Sequence, residues 1–267
     1  MFRKFAFTLF SLFVFFFDLN AAHLVGGDIT YRCLGNNVYE FKMTIYRDCF
    51  GGGVVFDSSP GAPLPASITV YEGDNTTPIQ TKNLDAPEIS PIEGSPGCPT
   101  IISPQQVCYE KGVYTFQLTL PNQGEAYHIT YQRCCRNNTL ANIEDSGSTG
   151  MTLTVTISPE ALNICNNSPE FGLVGNLFCV DRSFDFSMAV TDLDGDSLVY
   201  EFCHPLKGGG VDQIDPFDFM GVSPDPDSPP VYENVIFQPP YSFDSPFFAN
   251  PVENLNSETG FLTGVPN

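Results

Sequence analysis

Strict alternation of apolar and polar residues, repeated along the chain with almost nothing of helical period, is what most limits the folds open to this sequence. Val38-Tyr-Glu-Phe-Lys-Met-Thr-Ile-Tyr46 and Gly112-Val-Tyr-Thr-Phe-Gln-Leu-Thr-Leu120 are the longest examples. Shorter ones run over Ile29–Cys33, Ser67–Tyr71, Ala126–Gln132 and Met151–Ile157. A period of two places alternate side chains on opposite faces, so each segment predicts a strand with one buried face. Gly35-Asn36-Asn37 between the first two runs is a hairpin signal. Gly51–Gly53, Pro60–Pro65 and Ser95–Gly97 supply turn chemistry elsewhere. Strands of this length separated by glycine and proline turns predict an all-β fold of sandwich type, and immunoglobulin-like sandwiches are the expected form.

Two such units in tandem are expected, with Cys165-Asn-Asn-Ser-Pro169 as the turn-rich linker between them. The first spans 23–164 and is disulfide-rich. The second spans 165–267, with strand candidates at Asn176–Val180, Ser183–Val190, Leu198–Phe202 and Val231–Phe237 and a proline- and aspartate-rich loop over Asp212–Pro230. The chain ends on Thr259–Asn267, after a turn and before a strand that would close a sandwich, so the second unit reads as incomplete and the polypeptide as a fragment.

Residues 1–22 have the layout of a secretory signal peptide: Arg3 and Lys4, an apolar run from Phe5 to Phe17, then small residues at Ala21 and Ala22. The apolar run is shorter than the ~20 residues a spanning helix needs, and no later stretch is long and apolar enough to span. The expected location is therefore secreted or cell-surface. Nine cysteines suit that compartment. Cys33, Cys49, Cys98, Cys108, Cys134 and Cys135 fall in the first unit and Cys165, Cys179 and Cys203 in the second, all as disulfide candidates. Connectivity stays open, although adjacent strand positions point to opposite faces, so Cys134 and Cys135 are expected to take different partners. One cysteine of the odd set is left over, with its partner expected beyond residue 267.

The formal net charge of −20 repels nucleic acid and anionic lipid. His23, His128 and His204 are scattered. No nucleophile elbow, paired-histidine metal motif or phosphate loop occurs, and the clusters Gly51–Gly53 and Gly208–Gly210 lack the lysine or helix start that phosphate binding needs. No catalytic residue is singled out, and the chain is read as noncatalytic.

The densest chemical feature is Thr191-Asp-Leu-Asp-Gly-Asp-Ser-Leu-Val-Tyr200. Carboxylates at Asp192, Asp194 and Asp196 repel unless something positive lies between them, and calcium takes several hard oxygens at once. Ser197 and Cys203 stand where an EF-hand requires glycine and glutamate, which sets that loop aside. Two readings stay open: a calcium site completed from the linker or from Asp181, Asp185 or Glu201, and a metal-free acidic turn at a strand entry.

His23-Leu-Val-Gly-Gly-Asp-Ile-Thr-Tyr-Arg-Cys-Leu-Gly35, with Ile45-Tyr-Arg-Asp-Cys49, resembles the opening of large exported surface proteins of the Bacteroidetes. Asn167-Ser-Pro-Glu-Phe171, the Asp192–Asp196 segment and Thr259-Gly-Phe-Leu-Thr-Gly-Val-Pro266 are similar to repeats found in such proteins. The resemblance implies immunoglobulin-like, PKD-like or cadherin-like modules, type IX secretion, a link to gliding motility and no enzymatic activity. The function expected is a structural or adhesive surface module touching a glycan or protein. An exported carbohydrate-binding module, or part of a glycan-degrading enzyme, is the alternative.

Overall fold

The computed structural model describes residues 24–49, 55–92, 108–172, 178–188, 190–210, 223–247 and 254–266. The expected signal segment, His23 and Cys98 lie outside them. The fold is all-β with antiparallel sheets. Strands β1 (Leu24–Gly35), β2 (Val38–Asp48), β5 (Glu88–Pro91) and β6 (Tyr109–Thr119) form one sheet in the order β1-β2-β6-β5. Strands β3 (Ser67–Glu72), β4 (Gln80–Asn83), β7 (Tyr127–Arg133) and β8 (Met151–Ile157) form a second in the order β4-β3-β7-β8. One buried cluster joins them: Phe41, Met43 and Phe116 from the first sheet meet Ile68, Val70, Ile129 and Tyr131 from the second. The alternation read from the sequence is thus a real inside–outside alternation.

The hairpin turn between β1 and β2 runs through positive φ at Gly35, Asn36 and Asn37 (85°, 53° and 62°). Asparagine tolerates that region better than other side chains. Only one α-helix is described, α1 (Pro159–Ile164). Ser158 caps it by accepting from the Ala161 N–H, and Pro159 begins the first turn. The helix is too short for periodicity to announce it. The short strands β4 and β5 escaped the sequence reading for the same reason.

Beyond residue 165 the ladders are short. Strands β9 (Glu170–Phe171) and β11 (Val190–Thr191) pair, and β13 (Phe261–Gly264) lies between β10 (Phe184–Ser187) and β12 (Asn254–Leu255). Phe261–Gly264 is therefore itself a strand, where the sequence suggested that the chain ran out before one. Leu198–Phe202 forms no ladder, contrary to expectation, and is tied instead through the Tyr200 N–H to the Ser257 carbonyl at 2.9 Å. Val231–Phe237 contributes only isolated bridges, Asn234 to Leu206 and Phe237 to Ile143.

Much of this later chain covers edges and faces of the first sandwich. An uncovered edge strand is a template for unwanted pairing. At the β1 edge, the Ser168 N–H donates to the Tyr31 carbonyl (2.9 Å), the Tyr31 N–H donates to Ser168 Oγ (2.7 Å) and the Cys33 N–H to Asn167 Oδ1 (2.9 Å). At the β8 edge, Thr152 donates through its N–H to the Leu206 carbonyl (3.3 Å) and through Oγ1 to the Lys207 carbonyl (2.6 Å). This second contact explains the glycines there. A Cβ on Gly150 would sit 1.6 Å from the Gly209 carbonyl oxygen, and one on Gly208 would sit 1.9 Å from Thr152 Oγ1. The glycine cluster is a close backbone contact between a strand edge and the strap over it. Gly150→Ala is expected to lift residues 204–210 from β8 and cost about 1–3 kcal/mol, as overpacking does. Hydrogen exchange should show faster exchange in that strap while β2 and β6 stay protected. Unchanged exchange in the strap would contradict the contact.

Candidate functional site

Asp192, Asp194 and Asp196 are brought together, each offering one carboxylate oxygen within 4.8 Å of the others. Asp181, Asp185 and Glu201 are not part of that group. The loop is built from within. Asp192 Oδ1 accepts the N–H groups of Asp194 (2.9 Å), Gly195 (2.7 Å) and Asp196 (3.0 Å), and Gly195 takes the positive φ of 77° that closes the turn. The outer carboxylates then grip the linker. Asp194 Oδ2 accepts the Asn167 N–H at 2.6 Å and its Oδ1 accepts Asn167 Nδ2 at 2.8 Å. Asp196 Oδ2 accepts Asn166 Nδ2 at 2.8 Å. Because Asn167 Oδ1 also receives the Cys33 N–H, one asparagine connects the acidic loop to strand β1. The sequence marks Asn166 and Asn167 as turn residues of the linker and singles out neither as a partner of the acidic loop. Their asparagine side chains, each with donors and an acceptor, are what make the bridge.

Disulfides reinforce the same place. Cys33 and Cys165 are joined across 132 positions, which ties the end of β1 to the cap of α1. Cys49 and Cys108 are joined across 59 positions, linking the end of β2 to the start of β6. Cys179 is also disulfide-bonded. One expectation fails here. Cys134 and Cys135 are bonded to each other: β7 ends at Arg133, so the strand alternation that would send them to opposite faces does not reach them. Cys203 is exposed and free. It follows the extended segment that forms no ladder, and no thiol among the described residues is brought to it.

A buried polar network went unread in the sequence. The Arg133 guanidinium meets Asp57 Oδ2 at 3.0 Å, with both side chains almost wholly buried (5% and 1% exposed). The Tyr131 hydroxyl donates to the same oxygen at 2.8 Å, and the Tyr114 hydroxyl donates to the Asp57 carbonyl at 2.8 Å. Burial pushes the Asp57 carboxyl up from its ordinary value, while Arg133 and the Tyr131 hydroxyl pull it down. Nothing in the local sequence around Asp57 announces a partner 76 positions away. The histidines do other work. His128 Nδ1 lies 2.9 Å from Thr156 Oγ1 on the neighbouring strand, and partial burial lowers its pKa. His204 packs in a tilted arrangement on Phe243, with ring centres 4.0 Å apart.

Asp227 covers the outer face of the second sheet. Its N–H donates to Thr69 Oγ1 and its Oδ1 accepts the Gln132 N–H, both at 2.9 Å, while the Tyr71 hydroxyl donates to its carbonyl. Asp227 is only 1% exposed, and Oδ2 has no partner. Burial pushes its carboxyl up to about 8 from 3.8, against the opposing pull of its hydrogen bonds to Gln132 and Thr69. The folded state therefore holds a proton that the unfolded chain releases near pH 4, and this group's contribution to stability falls as pH rises from about 4 to about 8. Asp227→Asn keeps an oxygen for the Gln132 N–H and removes the charge. The variant is expected to be more stable than the parent by roughly 1–3 kcal/mol at pH 8, with the difference vanishing near pH 4. Denaturant unfolding across that range checks it. A difference independent of pH would contradict the assignment. Asp28, raised to about 6 chiefly by burial, acts in the same direction in both proteins and drops out of the difference.

No helix among the described residues is long and apolar enough to cross a membrane. No family model, curated protein or solved structure matches the chain, so its likeness to exported surface proteins stands on the quoted residues alone.

Proposed function

We propose that this protein is a noncatalytic, exported cell-surface module with a structural or adhesive role. The observation that carries the reading is the placement of the Cys33–Cys165 disulfide. It joins the first strand of the sandwich to the point where the chain leaves α1, and it brackets 132 positions. Tension entering before Cys33 and leaving after Cys165 passes through the S–S bond, not through the strands between them. A chain that holds surfaces together carries such loads, and a bond placed here shields the residues it brackets from them. The edge-covering hydrogen bonds at Tyr31 and Cys33 keep the same junction closed from the side.

Pulling the oxidised protein by its two ends in a single-molecule force measurement should leave the bracketed residues hidden. Adding reductant should release them, a gain of about 450 Å of contour length. Release of that length without reductant would sink the mechanical reading.

Calcium at Asp192, Asp194 and Asp196 belongs to the same proposal. The donor set suits a hard cation, and the outer carboxylates already hold Asn166 and Asn167, so an ion there would stiffen the junction. At calcium a hundredfold above its Kd the stability gain is about 2.7 kcal/mol, read as a rise in Tm that Asp194→Asn blunts. Identical melting curves in calcium and in chelator would leave the metal-free acidic turn.

A further inference from the structure

The outer face of the sheet β1-β2-β6-β5 carries a cavity of about 300 Å³. Its floor follows from alternation and register. Phe41, Met43 and Ile45 point into the core, so Lys42, Thr44 and Tyr46 point outward. Across the ladders Asp28 stands beside Thr44 and Thr44 beside Val113, while Gly26 stands beside Tyr46 and Tyr46 beside Lys111. Small residues in the middle and long polar ones around them make a trough. Glu170 and Phe171 wall it on the β1 side, where Lys42 Nζ meets Glu170 Oε2 at 3.3 Å. Pro91 and Ile92 wall it near β5.

We infer that this trough is a binding site for a neutral saccharide, one or two pyranose rings of a longer glycan; the inference rests on the adhesive form of the reading above. Two ammonium groups, Lys42 and Lys111, face two carboxyl groups, Asp28 and Glu170. The trough is thus formally balanced within a chain of net charge −20. Lys111 has no ion pair among the described residues. Vicinal sugar hydroxyls answer such a set, because each both donates to a carboxylate and accepts from an ammonium. Tyr46 and Phe171, the latter 53% exposed, offer apolar ring surface for the C–H face of a pyranose. An acidic polymer would meet two carboxylates and the field of the whole molecule. A cavity of about 300 Å³ is at the lower limit for a small-ligand site.

The test uses the full chain on an array of neutral oligosaccharides (cello-, laminari-, manno- and xylo-hexaose) beside polygalacturonate and chondroitin sulfate fragments, then titration calorimetry with the neutral hexasaccharide retained best. Binding to at least one neutral glycan is expected, weakened tenfold or more by Lys111→Ala and by Tyr46→Ala, with Tyr46→Phe close to the parent. Lys111 is exposed, so its variant keeps the test valid even if Tyr46→Ala folds poorly, and Tm is recorded for each. The site is overturned by an array that retains only the acidic fragments or nothing, or by binding that both alanine variants leave unchanged. A silent array together with force-shielded residues would remove the saccharide site and leave the mechanical reading standing. Sugar binding with residues released in the absence of reductant would do the reverse.

Discussion

Replacing Cys33 and Cys165 together by serine is expected to lower the free energy of unfolding by about 4–5 kcal/mol. The disulfide closes a loop of 132 positions, and the conformational freedom denied to the unfolded chain grows with the logarithm of loop length. The Cys49–Cys108 bond closes 59 positions, so the matching double-serine variant should lose less, by about 0.7 kcal/mol. Both bonds lie at the ends of regular elements, which makes the pair a fair comparison. Guanidinium unfolding of the two variants supplies the measurement. A larger loss from the shorter loop would show that native-state contacts around the sulfurs outweigh chain entropy. The acidic loop gives a second check on the long bond. Asn167 holds Cys33 through a backbone hydrogen bond and Asp194 holds Asn167, so in the serine variant these contacts alone keep β1 near the linker. Asp194→Asn should then cost more in the serine background than in the parent.

Asp57→Ala should destabilise the sandwich by about 3–5 kcal/mol, the range for removing one member of a buried ion pair. The loss comes from what is left behind. Arg133 keeps its charge in a site where its side chain is 5% exposed and where Nη1 already lacks a partner, and the Tyr131 hydroxyl loses its acceptor. Replacing both charges, as Asp57→Leu with Arg133→Met, should recover much of the loss, because well-packed apolar groups do as well as a desolvated pair. In a thermodynamic cycle the double variant should therefore lose less than the sum of the single ones. Additive losses would mean that the two groups are not coupled, and the contact between them would then carry little energy.

The strands of the first sandwich could be read from its residues because burial of one sheet face writes itself into a local period of two. Val38–Tyr46 shows this directly: Phe41, Met43 and Ile45 are buried, and Lys42 between them is exposed. Where a segment is held by neighbours and not by a ladder, the same pattern misleads. Leu198–Phe202 looks like a strand and pairs with none, since Tyr200 is tied to Ser257 in a turn and not to an adjacent strand. The acidic loop was legible as a cluster because its residues are close in sequence. Its use was not, because Asn166 and Asn167 lie 27 to 30 positions away.

Local sequence, then, determined the all-β character, the main strands of the sandwich, its first hairpin and the grouping of Asp192, Asp194 and Asp196, since each rests on neighbours within a few residues. Tertiary structure alone decided which cysteines pair, that Asp57 and Arg133 share a buried bond, that Gly150 and Gly208 mark backbones in contact, and that residues 167–168 and 204–210 seal the sandwich edges. Those features depend on which distant segments meet. Chain closure over such separations leaves no period in the sequence, because its cost varies only logarithmically with length and constrains no residue type between the two ends.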